Sequence, residues 1–297
     1  MNKLLSLLRQ NAALNVKTEE PMRRHTSFQI GGPVDIMIEA QSAEGAIYAL
    51  TVLREQEIPY LILGKGSNLL VSDAGIRGAV LKLNDAACVR EECQITAGAG
   101  ILLSKLAIFA QNEGLSGLAF AHGIPGTLGG ACMMNAGAYG GEMKDVVYET
   151  EYLDASLHRK ILRGEEHGFG YRTSVFRNMP NCLILSVKMT LTPGNSAEIR
   201  AEMDDYAQRR RTKQPLEYPS AGSVFKRPEG HFAGALIEQC GLKGLQIGGA
   251  QVSEKHAGFI VNRGGATCDD VLRLIETIQK TVLRETGVTL ECEICRV

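Results

Sequence analysis

Long apolar runs are missing from this chain. No stretch of its 297 residues approaches the roughly 18 consecutive apolar residues of a membrane-spanning helix. The opening segment MNKLLSLLRQN is interrupted at Arg9 after Leu4, Leu5, Leu7 and Leu8, too short an apolar stretch for a secretory leader. An excess of one charge is missing too. The 32 Lys+Arg and 33 Asp+Glu leave a formal net charge of -1, so no bulk field points to nucleic acid or an anionic membrane. The 8 cysteines (Cys88, Cys93, Cys132, Cys182, Cys240, Cys268, Cys292 and Cys295) follow no disulfide-framework spacing. Cys292 and Cys295 stand three apart in a run where Val288, Leu290, Cys292 and Ile294 alternate with polar residues. On a strand their sulfurs diverge, and no second Cys or His pair stands at ligand spacing, so no metal site is expected. The six histidines show no His-x-x-x-His pair, and tandem repeats and low-complexity tracts are absent. With 44% hydrophobic residues, what remains is a cytoplasmic globular protein of two or three domains.

Periodicity sets out the elements. Residues 1–20 read as an amphipathic helix with an acidic lead-in. A helix follows over 43–57, short strands over 61–63, 79–83 and 94–97, and a helix over 102–113 that ends at Gly114. The segment 114–141 is so dense in glycine that no ordinary helix or strand is expected there. Strands resume to about Leu191, and Pro193-Gly194-Asn195-Ser196 marks a break. Beyond it lie a charged helix over 197–212, a glycine- and proline-bearing loop over 215–228, and a helix over 233–240. Thr267-Cys268-Asp269-Asp270 opens a helix to Glu285 with a capping-box pattern, and a strand over 288–296 closes the chain. The fold class is α+β, with a break near Gly194.

Two glycine loops could hold a ligand. In Gly64-Lys65-Gly66-Ser67-Asn68-Leu69, small residues would let backbone N–H groups converge on an anion, although a tight structural turn explains the pattern as well. The loop has neither P-loop spacing nor the third glycine of a dinucleotide fingerprint. The second stretch is stronger: Gly123-Ile124-Pro125-Gly126-Thr127-Leu128-Gly129-Gly130, followed by Asn135-Ala136-Gly137-Ala138-Tyr139-Gly140-Gly141-Glu142. So many small residues suit a long flat ligand laid against backbone. Two anion-compatible loops about sixty residues apart suggest a dinucleotide with a pyrophosphate, held without a Rossmann unit.

These loops, with His25 to Pro33, Tyr171-Arg172-Thr173-Ser174-Val175-Phe176, Ala221-Gly222-Ser223-Val224-Phe225-Lys226, Gly248-Gly249-Ala250, Phe259-Ile260-Val261-Asn262 and Glu291-Cys292-Glu293, resemble the UDP-N-acetylenolpyruvoylglucosamine reductase (MurB) family. The match runs in order from about residue 23 to 295. No counterpart of an extra tyrosine-bearing loop lies between Tyr171 and Ala221, as in the shorter second type of the family. The resemblance implies a two-subdomain FAD-binding PCMH (vanillyl-alcohol-oxidase-like) domain over 23–195, after a lead-in over 1–22, then a smaller α/β substrate-binding domain over 196–297. It also implies NADPH-dependent reduction of the enolpyruvyl group of UDP-N-acetylglucosamine enolpyruvate to UDP-N-acetylmuramate, by a cytoplasmic monomer without nucleic-acid or membrane partners.

That reaction needs charge and donors at the substrate carboxylate, and a proton source. The resemblance assigns Arg172 to the enolate, Ser223 as proton donor and Glu293 as third catalytic residue. By strand alternation alone, Glu291 could serve as well as Glu293. An ionised carboxylate there would repel the enolate, so Glu293 is expected to be protonated or to act through hydrogen bonds. FAD falls to Gly64, Lys65, Gly66, Ser67, Asn68, Leu69, Gly123, Ile124, Pro125, Gly126, Thr127, Gly130, Asn135, Ala136, Gly137 and Ala138. Substrate falls to Tyr171, Lys213, Arg227 and His256. Arg227 stands where the family commonly has asparagine. The run Arg209-Arg210-Arg211 reads as a solvated helix face, with a share in attracting the UDP moiety. Two other functions fit parts of the pattern: an oxygen-consuming oxidase of the same fold, and a UDP-sugar transferase or nucleotide-binding module without redox chemistry.

Overall fold

The computed structural model describes residues 2–297, which form two compact units. Among the described residues, the first comprises 2–18, 36–65 and 78–210. Helix α1 (Asn2–Arg9) buries Leu4 and Leu8 and packs on α2 (Ala43–Glu55), where the Tyr48 hydroxyl donates to the Leu7 carbonyl at 3.0 Å. Of the helix and acidic lead-in expected over 1–20, the helix ends at Arg9 and the lead-in is a strand. Asn11 turns the chain by accepting the Ala13 N–H at 2.9 Å, and strand Leu14–Pro21 follows. Leu14 and Val16 are half-buried between polar neighbours, a two-residue period that only a strand presents to a core.

That strand opens a sheet ordered Leu14–Pro21, Pro33–Ala40, Ile76–Leu83, Tyr60–Leu63, whose last two members are parallel with Tyr60 opposite Ala79. Helix α2 is N-capped by Ser42, whose hydroxyl accepts the Gly45 N–H at 3.1 Å, and it buries Ala46, Ala49, Leu50 and Leu53. A second, antiparallel sheet runs Arg159–Arg163, Val147–Leu153, Leu183–Thr190, Gln94–Gly98, Cys88–Glu91. Helix α3 (Leu103–Asn112) ends at Gly114, which is left-handed at φ 66°.

The glycine-dense segment is not wholly irregular. It contains α4 (Leu128–Met134), seven residues long, with Leu128, Ala131 and Cys132 buried on one face. A Cβ on Gly129 would come within 3.0 Å of the Ala99 Cβ. Glycine there lets the first turn dock on backbone, Leu128 N–H to Ile101 and Gly129 N–H to Ala99, both at 2.9 Å. Helix α5 (Ser196–Lys213) buries only Ile199 and Met203, and ion pairs such as Arg209–Asp205 at 2.7 Å line its exposed side.

The second unit gathers residues 19–35, 66–77 and 211–297, so the compact units do not follow the linear division at 22 and 195. Long-range polar bonds draw the two early segments in. The Ser27 hydroxyl donates to the Ser220 carbonyl at 2.7 Å, and Asp73 accepts the Cys268 N–H at 2.9 Å at the start of α7 (Cys268–Thr286). The unit's antiparallel sheet runs Ser220–Ser223, Phe259–Asn262, Ala250–Val252, Gln246–Ile247, accompanied by α6 (Ala233–Gln239) and α7. The capping box forms as expected, with Asp270 N–H to Thr267 Oγ1 and Thr267 N–H to the Asp270 carboxylate, each 3.1 Å. The N–H bond from Thr267 holds the Asp270 carboxyl below its ordinary pKa.

The closing strand is shorter than expected. Only Cys295–Arg296 is a strand, parallel to Leu69–Leu70, and Cys292 makes a single bridge to Phe225. Cys292 is exposed and lies near the Gln279 amide, while Cys295 lies near the Asn68 amide. Asn262 holds the unit's centre: buried, it donates to the Phe28 carbonyl at 3.1 Å and accepts the N–H groups of Gly264 and Ala266 at 2.9 and 3.1 Å. Asn262→Ala leaves two buried backbone groups, the Phe28 carbonyl and the Ala266 N–H, unpaired and should cost about 2–4 kcal/mol. Denaturant titration measures that loss, and a change under about 0.5 kcal/mol contradicts the assigned role.

Candidate active site

In the first unit, absent side chains bring two glycine loops together. A Cβ on Gly64 would stand 2.7 Å from Thr127 Oγ1, so only glycine admits the threonine at this distance. Thr127 is buried and N-caps α4, accepting the Gly130 N–H at 3.4 Å. Between the loops the chain shows little but backbone. Ile124 N–H is held by the Ala121 carbonyl, and the Gly126 carbonyl accepts the Leu103 N–H, both at 3.0 Å. A Cβ on Gly126 would meet nothing nearer than Leu103 at 3.9 Å, and one on Gly130 nothing nearer than Thr127 at 3.4 Å. Among Gly123, Ile124, Pro125, Gly126, Thr127 and Gly130, the glycines thus leave a sparsely lined strip beside Gly64 and Lys65, while Ile124 packs on the core and Thr127 is buried. Side chains at these positions would fill a cradle that suits a diphosphate-linked cofactor.

Helix α4 ends on Asn135, left-handed at φ 42° and buried. Its amide donates to Glu142 Oε2 at 2.7 Å and to the Gly170 carbonyl at 3.0 Å, while its Oδ1 accepts the Lys144 N–H at 2.9 Å. Beyond Ala136, the ribbon pairs Gly137 with Glu142 and Ala138 with Gly141 through Tyr139 and Gly140, both at positive φ, as in a type I′ turn. Tyr139 stacks on Tyr206 of α5, centroids 4.4 Å apart.

Asn135 also fixes the arginine hairpin. Gly170 and Thr173 exchange two backbone hydrogen bonds, 3.0 and 3.3 Å, around Tyr171 and Arg172. Arg172 is left-handed at φ 55°, a conformation costly to any residue with a Cβ and found disproportionately at functional sites. Its guanidinium donates to the Gly137 carbonyl at 3.4 Å and lies 5.4 Å from the centre of the exposed Tyr171 ring.

The second unit brings together Ser223, His256, Glu293 and Asn68. Glu293 N–H donates to the Val224 carbonyl at 2.8 Å, and the Asn68 amide donates to the Glu293 carbonyl at 3.1 Å. Val224 N–H in turn binds the Gly258 carbonyl at 2.9 Å. A Cβ on Gly258 would lie 3.4 Å from Ser223 Oγ and 3.0 Å from His256 Cε1, so glycine lets the loop close between the two. His256 Nδ1 accepts the Gly258 N–H at 3.1 Å, and burial lowers the imidazole pKa, leaving the neutral ring with its proton on Nε2. Glu291, the alternative to Glu293, pairs with Lys226 at 3.0 Å on the surface. Gly66 is left-handed at φ 65°, and a Cβ there would collide with the His25 carbonyl, while its own carbonyl takes the Ser27 N–H at 3.2 Å. Ser67 precedes Asn68, and Leu69 pairs with Cys295. Arg227 lies over Phe232, 4.0 Å from the ring centre, and Lys213 is exposed at the end of α5.

Arg210 falls outside the solvated face expected for the arginine run. It is half-buried, with its Cδ 3.4 Å from the Cβ position of Gly123. The signal lay in helical phase: Ile199, Met203, Tyr206 and Arg210 follow one stripe of α5, whereas Arg209 and Arg211 leave it.

Residues 34–156 match an FAD binding domain, and residues 214–297 match the UDP-N-acetylenolpyruvoylglucosamine reductase C-terminal domain. The molecule is thus a flavin oxidoreductase of α+β architecture, with an FAD-binding domain followed by a distinct C-terminal domain. UDP-N-acetylenolpyruvoylglucosamine reductase of Caldanaerobacter subterraneus subsp. tengcongensis is 50% identical over 99% of this chain and 96% of its own length. That of Clostridioides difficile is 48% identical over 98% and 96%. The crystal structure of UDP-N-acetylenolpyruvylglucosamine reductase (MurB) from Thermus caldophilus superposes with a TM-score of 0.80 at 35% identity, covering 95% of this chain and 98% of that one. The chain belongs to the UDP-N-acetylenolpyruvoylglucosamine reductase family.

Gly130 offers a clean test of the cradle. Gly130→Ala adds a methyl group inside a helix, where alanine is favoured by roughly 0.5–1 kcal/mol, so stability should hold or rise. FAD affinity, read by flavin fluorescence titration, should fall at least about tenfold, a difference of roughly 1.4 kcal/mol. Wild-type affinity in this variant removes Gly130 from the cradle.

Proposed function

We propose that this protein reduces the enolpyruvyl group of UDP-N-acetylglucosamine enolpyruvate to the lactyl ether of UDP-N-acetylmuramate, with NADPH as reductant, in peptidoglycan precursor synthesis. The anchoring of Glu293 beside Ser223, through Val224 and Asn68, is the observation that carries this reading. Reduced by NADPH, bound FAD supplies the hydride for the terminal vinyl carbon. The residues of this chain provide charge, orientation and a proton.

Arg172 grips the substrate carboxylate with two parallel N–H bonds and stabilises the charge that builds there. Its left-handed turn and the Gly137 carbonyl set the guanidinium in place before substrate arrives. Ser223, whose hydroxyl donates at 3.3 Å to the Phe225 carbonyl, gives its proton to the ether-bearing carbon. Glu293 hydrogen-bonds the same developing enolate. His256, neutral and on the other side of Gly258 from Ser223, offers its Nε2–H to the substrate, while Lys213, Arg227 and Tyr171 bind the nucleotide-sugar portion. Gly64, Lys65, Gly66, Ser67, Asn68, Leu69 and the residues from Gly123 to Ala138 named above hold FAD. No helix among the described residues is long and apolar enough to cross a membrane, and we place the enzyme in the cytoplasm as a monomer.

Two half-reactions test the assignment. Purified protein should be yellow; anaerobic NADPH should bleach it, and the enolpyruvyl substrate should restore the flavin band without oxygen. In Ser223→Ala, bleaching should proceed at nearly the wild-type rate while reoxidation by substrate slows by roughly 10²–10⁴-fold, the range of a lost general acid. Equal loss of both half-reactions removes Ser223 from the role, and reoxidation that requires oxygen makes the protein an oxidase instead.

A further inference from the structure

Helix α5 carries one cation that its own surroundings do not explain. Several of its other charges are matched within the helix: Arg200 with Asp204 at 3.0 Å, Arg209 with Asp205 at 2.7 Å, and Glu202 with the Tyr206 hydroxyl at 2.7 Å. Among the described residues, Arg210 has no carboxylate within ion-pair distance. It does not escape to solvent either. Its side chain lies against Gly123, with Cδ 3.4 Å and Nη1 3.7 Å from where a Cβ would stand, and Tyr139 is a further neighbour. Burial lowers even this guanidinium's pKa from its ordinary value. A partly dehydrated, unmatched charge is costly unless an anion completes it.

Its position names the anion. Gly123 begins the sparsely lined strip that continues through Gly126 and Thr127 to Gly130, and the stacked Tyr139–Tyr206 pair holds α5 to the neighbouring ribbon. We propose that Arg210 is a phosphate-binding residue, its guanidinium placed against Gly123 to take the diphosphate of a nucleotide ligand at this loop. The inference rests on the flavin-reductase reading of the same strip. The diphosphate belongs either to FAD or to the UDP-sugar, and the two sources separate experimentally.

The experiment uses full-length protein and two probes, FAD titrated into deflavinated protein and UDP titrated into holoenzyme. Each is read by the flavin spectrum, independently of turnover. In Arg210→Met, which keeps the length and apolar packing of the stem, one dissociation constant should rise on the order of 10- to 100-fold, as for loss of a charged hydrogen bond. Its logarithmic salt slope should shrink as well. A rise for FAD assigns the cofactor's diphosphate; a rise for UDP with FAD unchanged assigns the substrate's. Both constants within about twofold of wild type overturn the role of Arg210 alone. Wild-type protein that takes up neither probe overturns the reductase reading together with this one. Arg210→Gln repeats the comparison if the methionine variant does not fold.

Discussion

The first unit depends on approaches to glycine backbone that a Cβ would obstruct. Thr127 enters the space Gly64 leaves, and the first turn of α4 lands on Ala99 through Gly129. These contacts spend little side-chain volume and leave Gly126 and Gly130 with no more than ordinary van der Waals neighbours, Leu103 and Thr127. A flat anionic cofactor is met most closely by N–H groups and Cα atoms, so the same constraint that folds the segment suits it to the cofactor-holding role we propose. Asn135 extends the arrangement, since one buried amide ties the end of α4 to Glu142, Lys144 and the hairpin carrying Arg172.

The second unit solves a different problem with side-chain amides and a short terminal segment. Asn262 satisfies three backbone groups of two loops, and Asn68 pins the backbone of Glu293. Carboxylates occupy helix starts: Asp73 and Asp270 both accept N–H groups at the first turn of α7. Ser223 and His256 then need only Gly258 between them to share one edge.

Much of this was legible in the chain itself, and the lapses have physical reasons. Helices α2, α3, α5, α6 and α7 lie close to their expected bounds, and α2, α5 and α7 begin on the capping oxygens of Ser42, Asn195 and Thr267, signals that act within a few residues. Helix α4 escaped because Gly129 and Gly130 look like breakers, whereas Gly129 is required by docking on Ala99, a tertiary demand. The closing strand failed for the opposite reason. Residues 288–296 alternate well, yet only Cys295–Arg296 forms a ladder, and Cys292 meets Phe225 in a single isolated bridge. Segments 19–35 and 66–77 joined the second unit through bonds spanning about two hundred residues, such as Ser27 to Ser220, which no window of sequence displays. Motifs marked the two loops, Arg172, Ser223 and Glu293, whereas Arg210 required the phase of the whole helix.

The turn at Arg172 sets backbone ease against charge. Glycine or asparagine would settle into φ 55° with less strain, but neither carries a guanidinium. A search for thermal hardiness at this hairpin would therefore favour residues that abolish the grip on an anion proposed for it, and the position should resist every attempt to improve robustness and turnover together.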